Sequence, residues 1–136
     1  IKETKSKLFV NNKDTIGFVG APWTLLLYML NRKSPKEGNF SVFPKDKYIH
    51  DILMKLDEFL KIHIEAQIGS GASIIQIFDS WAGLVPEKDL EYFVYKPIKS
   101  LVDFIRQKKT ISICFPRNIN NYKKFVPQTE LIFLLF

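Results

Sequence analysis

The chain has 136 residues, of which 46% are hydrophobic and 25% are charged, and its formal net charge is +6. This composition is typical of a globular domain with its own core, and it excludes the disordered, fibrous and disulfide-stapled classes. The single cysteine, Cys114, cannot form an internal disulfide, so we expect a cytoplasmic setting. The longest apolar run, 131–136, is shorter than the ~20 residues that span a bilayer, so we expect no membrane partner.

Three short runs rich in β-branched and aromatic residues predict strands. In chain order they cover 15–19, 73–78 and 111–115. Their apolar residues stand at consecutive positions, whereas a strand with one solvated face would alternate. The pattern therefore predicts parallel strands that are covered on both faces.

Helical periodicity fills the intervals between these strands. Residues 45–68 carry apolar side chains three and four positions apart, which predicts a helix of about six turns. A second helix is predicted at 97–108, with shorter helical turns at 23–30 and 87–93, and 31–43 is predicted to be a polar connection. Alternating strands and helices indicate a parallel sheet with right-handed crossovers. The order suits either the start of a doubly wound sheet or an arc of a (β/α)8 barrel.

Candidate site residues follow the first two strands, because ligands of parallel α/β folds meet the carboxyl ends of strands. The first strand runs into 20–25, and the second runs into 79–83. Asp79 is either a helix or turn cap or a carboxylate at the mouth of the sheet. Ser80 lacks the Gly-x-Ser-x-Gly context of a nucleophile, so a hydrogen bond to substrate is the better interpretation. Tyr28 is either a core aromatic or a hydroxyl aimed at a ligand.

Other chemistry-bearing residues favour structural roles. His50 and His63 are thirteen positions apart, which is not metal-ligand spacing. The glycine-rich stretch 69–71 follows a helix and precedes a strand, the reverse of the order in a phosphate loop. Trp23 and Trp81 are interpreted as packing anchors in preference to ligand platforms. The paired lysines lack interleaved aromatic residues, so we expect no nucleic-acid partner.

Two segments carry a resemblance to a known family. Residues 16–25, followed by Tyr28, closely resemble the Gly-Ala-Pro-Trp-Thr signature of uroporphyrinogen decarboxylases, and 76–83 resemble that family's second central motif. The resemblance runs from about 15 to about 126, and 127–136 is a divergent tail. It implies one partial domain over 1–136, an α/β fold forming part of a (β/α)8 TIM barrel with about three central parallel strands and their helices.

The resemblance also implies an activity and a set of site residues. The family removes four acetate carboxyls from uroporphyrinogen III to give coproporphyrinogen III, without a metal or organic cofactor and as a homodimer. By match to the motifs, Phe18 would line the substrate cleft, Tyr28 and Ser80 would hydrogen-bond substrate carboxylates, and Asp79 would stand beside them in the substrate-binding set.

The family's carboxylate-binding arginines, its early aspartate and its late histidine lie outside the matching segments. We therefore expect no catalytic residue within this chain and no activity from this segment alone. Two alternatives remain open. One is a non-catalytic remnant that binds porphyrinogen or oligomerises. The other is a related methyltransferase of the same superfamily, which would require a zinc site.

Overall fold

Parallel strands form the centre of the fold, in a computed structural model that describes residues 1–9, 13–31, 43–130 and 133–134. The sheet has the order β1-β2-β3-β4, with every neighbouring pair parallel. The strands are Ile16–Gly20 (β1), Ile74–Asp79 (β2), Ile111–Pro116 (β3) and Phe133–Leu134 (β4). The predicted α/β class and parallel sheet are confirmed, and β1 to β3 lie within one residue of their predicted bounds. β4 lies in the tail that the sequence did not predict to be a strand.

Six α-helices and a short 3-10 helix, Ala82–Leu84, accompany the strands in the described part of the chain. The α-helices are Lys2–Phe9 (α1), Pro22–Asn31 (α2), Lys47–Gly69 (α3), Glu87–Leu90 (α4), Lys96–Gln107 (α5) and Tyr122–Thr129 (α6), with a π-helical segment Glu91–Tyr95 joining α4 to α5. α3 begins where the Asp46 carboxylate accepts a hydrogen bond of 2.9 Å from the Ile49 amide. The predicted connection 31–43 falls mostly at 32–42, outside the described residues. No described helix has the length and apolar character that crossing a bilayer requires.

The helices cover one face of the sheet and leave the other open. Val19, Ile75, Ile77 and Cys114 point into the helix layer and are buried. On the opposite face, which we call the open face, the exposed apolar positions include Ile16, Phe18 and Ile111. The prediction that both faces are covered is therefore wrong for the described residues. Apolar residues at consecutive positions of a strand indicate that both of its faces are shielded from water in the folded protein. They do not indicate which segment covers each face.

The Gln67 side chain of α3 forms two hydrogen bonds with the outer edge of β1. The Gln67 amide accepts from the Phe18 backbone amide at 2.9 Å and donates to the Phe18 carbonyl at 3.0 Å. This close approach requires glycine at position 17, because a Cβ there would lie 2.4 Å from Gln67 Oε1. The contact holds the Phe18 backbone in place while its ring projects from the open face.

Candidate functional site

The carboxyl ends of β1, β2 and β3 meet at one edge of the sheet, which we call the mouth. The Ala21 amide, just after β1, donates to the Phe78 carbonyl at 2.8 Å. On the other side of β2, the Arg117 amide donates to the Asp79 carbonyl at 3.0 Å. These bonds continue the strand register beyond the last paired residues. The segments that the sequence analysis selected after β1 and β2 are therefore adjacent in space.

Three phenylalanine rings form an aromatic row across the open face beside the mouth. The Phe18 and Phe78 rings are 6.1 Å apart at 77°, and the Phe78 and Phe115 rings are 6.4 Å apart at 76°. Both pairs are edge-to-face, a favourable arrangement for aromatic rings. Phe18 is 65% exposed and the other two are half-buried. The row forms an apolar floor on the open face. Sequence analysis named only Phe18, although Phe78 and Phe115 share one register position on β2 and β3.

Tyr28 and Ser80 stand at the rim of this floor. Tyr28 lies on α2 and is 40% exposed, and its hydroxyl accepts a hydrogen bond of 3.0 Å from Trp81 Nε1. The two rings are edge-to-face, with centroids 6.5 Å apart. Ser80 is half-buried in the turn directly after β2, between Asp79 and Trp81. The structure brings both predicted carboxylate-binding residues to the same end of the sheet.

Asp79 is placed differently from the other predicted site residues. Its side chain is completely buried on the helix-covered face, where Oδ1 accepts from Thr24 Oγ1 at 2.7 Å. Oδ2 has no hydrogen-bond partner in the described part of the chain. Burial raises the pKa of the Asp79 carboxyl from 3.8 to about 7, and the Thr24 hydroxyl opposes the rise. In this structure the carboxyl group joins β2 to α2 and does not reach the open face.

The thiol of Cys114 lies on the same covered face as Asp79. Burial and the nearby Asp79 charge raise the pKa of this thiol well above its usual value of 9.0. A thiol with a raised pKa stays protonated, whereas nucleophilic and metal-binding cysteines act as thiolates. Cys114 is therefore a core residue here.

Two tryptophans tie α2 to the turn that follows β2. The buried Trp23 donates from Nε1 to the Trp81 carbonyl at 2.8 Å, and the Trp81 amide donates to Thr24 Oγ1 at 3.4 Å. The Trp23 ring also packs against Phe93, with centroids 5.0 Å apart. Trp23 is thus an internal anchor, whereas Trp81 also presents its indole N–H to Tyr28 at the rim.

Arg117 is a residue of the mouth that the sequence analysis missed. It is the first residue after β3, and its carbonyl accepts from the Gly83 amide at 3.0 Å. Glycine is required at 83 because a Cβ there would lie 2.5 Å from the Asn118 carbonyl oxygen. The Arg117 side chain is exposed, and no described carboxylate lies within ion-pair distance of it. Arg106, in contrast, pairs with Asp103 and Glu130.

The family model for uroporphyrinogen decarboxylase (URO-D) matches residues 1–131 of this chain. The chain belongs to the uroporphyrinogen decarboxylase family. Among curated relatives, the uroporphyrinogen decarboxylases of Campylobacter fetus and Campylobacter hominis are 37% and 39% identical to it over 127 residues, which are 90% of this chain. That of Orientia tsutsugamushi is 36% identical over 125 residues, which are 88% of this chain.

The chain spans 37% of the length of the two Campylobacter uroporphyrinogen decarboxylases and 36% of the Orientia enzyme. The resemblance seen in the two central motifs is thereby confirmed at the level of the family. The methyltransferase alternative would require a zinc site. In residues 1–9, 13–31, 43–130 and 133–134, no three His, Cys, Asp or Glu side chains are grouped so that they could hold a metal ion.

Proposed function

We propose that this chain supplies one wall of the substrate cleft of a uroporphyrinogen decarboxylase, which converts uroporphyrinogen III to coproporphyrinogen III. Family membership supports the activity. The aromatic row on the open face, with polar side chains where the strands end, supports the assignment of this face as a wall of the cleft. Uroporphyrinogen is a ring of four pyrroles with carboxylates around its edge. An apolar floor with a polar rim is the surface that such a ligand requires.

Each residue of the mouth has a role in this proposal. The aromatic row, led by Phe18, contacts a face of the macrocycle. Tyr28 and Ser80 donate hydrogen bonds to peripheral carboxylates, and the Arg117 guanidinium pairs with another. Asp79 acts through Thr24, because its buried carboxyl holds α2 against β2 and so fixes the rim. The net charge of +6 favours encounter with a polyanion.

The proposed reaction needs no cofactor, because the pyrrole ring itself accepts a proton and then takes up the electrons of the carbon–carbon bond as carbon dioxide leaves. The exocyclic methylene that remains is then protonated to the methyl group, and the ring carbon releases the first proton. The enzyme's task is to hold the polyanion, supply the proton and stabilise the charged pyrrole. The proton donor and the main carboxylate-binding arginines are assigned to parts of the family's sequence outside these residues. Family membership also supports a closed (β/α)8 barrel, a homodimer and a cytoplasmic location as parts of the proposal.

Binding of uroporphyrin, the stable oxidised form of the substrate, tests the proposed wall. Phe18→Ala removes a 65% exposed ring from the open face, and Phe59→Ala removes a 66% exposed ring from α3, outside the mouth. Since burying a phenylalanine is worth ~1.5–3 kcal/mol, we expect Phe18→Ala to weaken binding about 10-fold or more. Phe59→Ala should leave the Kd unchanged. Equal effects of the two substitutions on the Kd, measured by porphyrin fluorescence, would place the ligand elsewhere.

A further inference from the structure

The backbone groups of Phe18 point away from the sheet, because β1 is an edge strand. The Ala21 amide donates to the Phe78 carbonyl at 2.8 Å, and the Thr15 carbonyl accepts from the Ser73 amide at 3.0 Å. The backbone groups at 15 and 21 therefore face β2. Adjacent residues of a strand direct their backbone groups to opposite sides, so those of Phe18 face outward. An outward amide and carbonyl on an edge strand can pair with a strand of another molecule.

The Gln67 side chain already makes both of these bonds. Its Oε1 accepts from the Phe18 amide at 2.9 Å, and its Nε2 donates to the Phe18 carbonyl at 3.0 Å. Opposite residues of an antiparallel pair exchange the same two bonds. The carboxamide therefore occupies the position that one residue of an added strand would take. It lies this close because residue 17 is a glycine, whose added Cβ would be 2.4 Å from Gln67 Oε1.

The sequence of β1 lacks the features that commonly protect an edge strand. Proteins limit strand addition with charged side chains, prolines or bulges, or by covering the edge with another segment. Ile16–Gly20 contains no charged residue and no proline, and its register with β2 is continuous. Ile16 and Phe18 are exposed and apolar, and such a strand favours pairing between molecules. The Gln67 carboxamide covers this edge at its centre.

We propose that the outer edge of β1 is a strand-binding surface that Gln67 keeps closed, and that a second copy of this chain pairs with it once the carboxamide is displaced. The second copy supplies the strand, because its own β1 has the same outward groups and two such edges can pair about a twofold axis. This inference does not rest on the proposed substrate. In a closed barrel, a neighbouring strand would need the same two groups of Phe18, so Gln67 would release them there as well.

Sedimentation velocity over a concentration series tests this cover. Gln67→Met keeps the length of the side chain and removes both hydrogen bonds. Since one neutral hydrogen bond is worth about 3- to 10-fold in an equilibrium constant, losing two should strengthen self-association about 10-fold or more relative to wild type. Gly17→Ala, whose new Cβ displaces the carboxamide, should act in the same direction. Gln107→Met, at the exposed end of α5, is the matched control and should sediment as wild type.

Two further variants separate edge pairing from a general loss of stability. Thr24→Val removes a buried hydrogen bond and leaves the Gln67 cover in place, so it should sediment as wild type. The Ile16 amide also faces outward, and proline is tolerated at the first residue of a strand. Adding Ile16→Pro to Gln67→Met removes this donor and should restore the wild-type species. Circular dichroism checks folding, and Ile16→Lys, which puts a charge on the edge strand, replaces a proline variant that does not fold.

Three results would each overturn the proposal. They are a Gln67→Met variant that associates no more than wild type, a Thr24→Val variant that associates as strongly as Gln67→Met, and a double variant that remains associated. The last result would place the contact on the open face and not on the edge of β1.

Discussion

Replacing Asp79 with asparagine removes a completely buried carboxyl group and keeps its shape. In the wild-type protein, burial raises the pKa of Asp79 from 3.8 to about 7. Between these pH values the folded chain holds a proton on Asp79 that the unfolded chain has lost. Stability therefore falls as the pH rises from about 4 through about 7, since the folded state binds the extra proton. This direction is the reverse of that for a carboxylate held by a cation.

The size of the effect follows from the same two pKa values. A difference of about 3 between the folded and unfolded chains, at 1.36 kcal/mol for each pKa unit, gives about 4 kcal/mol. Domains unfold with free energies of ~5–15 kcal/mol, so the effect is a large part of the total. Asparagine does not titrate. The free energy of unfolding of Asp79→Asn, relative to wild type, should thus rise by about 4 kcal/mol between pH 4 and pH 8.

Urea unfolding at intervals from pH 4 to pH 8 measures this difference. At each pH, the wild-type free energy of unfolding is subtracted from that of Asp79→Asn. The difference no longer contains the titration of the groups that both proteins share, provided that those groups are independent of Asp79. Asp51→Asn, at an exposed position on α3, controls for the change in net charge. A difference that stays level across the range, or that moves in favour of wild type as the pH rises, would refute the assignment of a buried, protonatable carboxyl to Asp79.

Three further outcomes are expected. Thr24→Val removes the hydroxyl that donates a hydrogen bond of 2.7 Å to Asp79. It should lower the free energy of unfolding, measured in urea at pH 8, by ~1–3 kcal/mol. An unchanged urea midpoint would contradict a stabilising Thr24–Asp79 hydrogen bond. Gly17→Ala should lower the free energy of unfolding by ~1–3 kcal/mol, because the new Cβ displaces Gln67 from the edge of β1. The control, Gly69→Ala, has open space around the new Cβ and should be neutral or stabilising. The 136-residue chain alone should not convert uroporphyrinogen faster than the uncatalysed rate under anaerobic conditions. Chromatography of the products measures the conversion. Clear turnover would show that these residues contain the proton donor.

The strands and the long helix were predictable because their signals are local. β-branched runs marked β1 to β3, and the three- and four-residue spacing marked α3. β4 is a two-residue strand inside a uniform apolar run, and such a run does not indicate pairing by itself. The open face was also beyond the sequence pattern, because apolar residues on both faces of a strand do not identify the segment that covers each face.

The site was predictable in part. Motif resemblance selected Tyr28 and Ser80, which the structure brings to the mouth, and Phe18, which it places beside the mouth. For Asp79 a usable signal was present: it shares strand parity with Ile75 and Ile77, which face the helix layer.

The contacts between residues on opposite sides of the mouth could not be predicted from the sequence. Trp81 and Tyr28 are 53 residues apart, and no local spacing connects them. Arg117 follows a strand without any motif around it, and it is adjacent to the turn after β2 only through the parallel register.

Backbone amide chemical shifts, recorded while uroporphyrin is added to the ¹⁵N-labelled protein, show whether the open face binds the tetrapyrrole. We expect four backbone amides to shift together with one Kd, those of Phe18, Phe78, Phe115 and Trp81, while the amide of Phe59 on α3 does not move. An alternative location for an anionic ligand is the groove between α3 and the π-helical segment with α5, whose lining includes His50, Tyr92 and Lys96. Shifts confined to that groove, or no shifts at all, would contradict the proposal that the open face binds the tetrapyrrole.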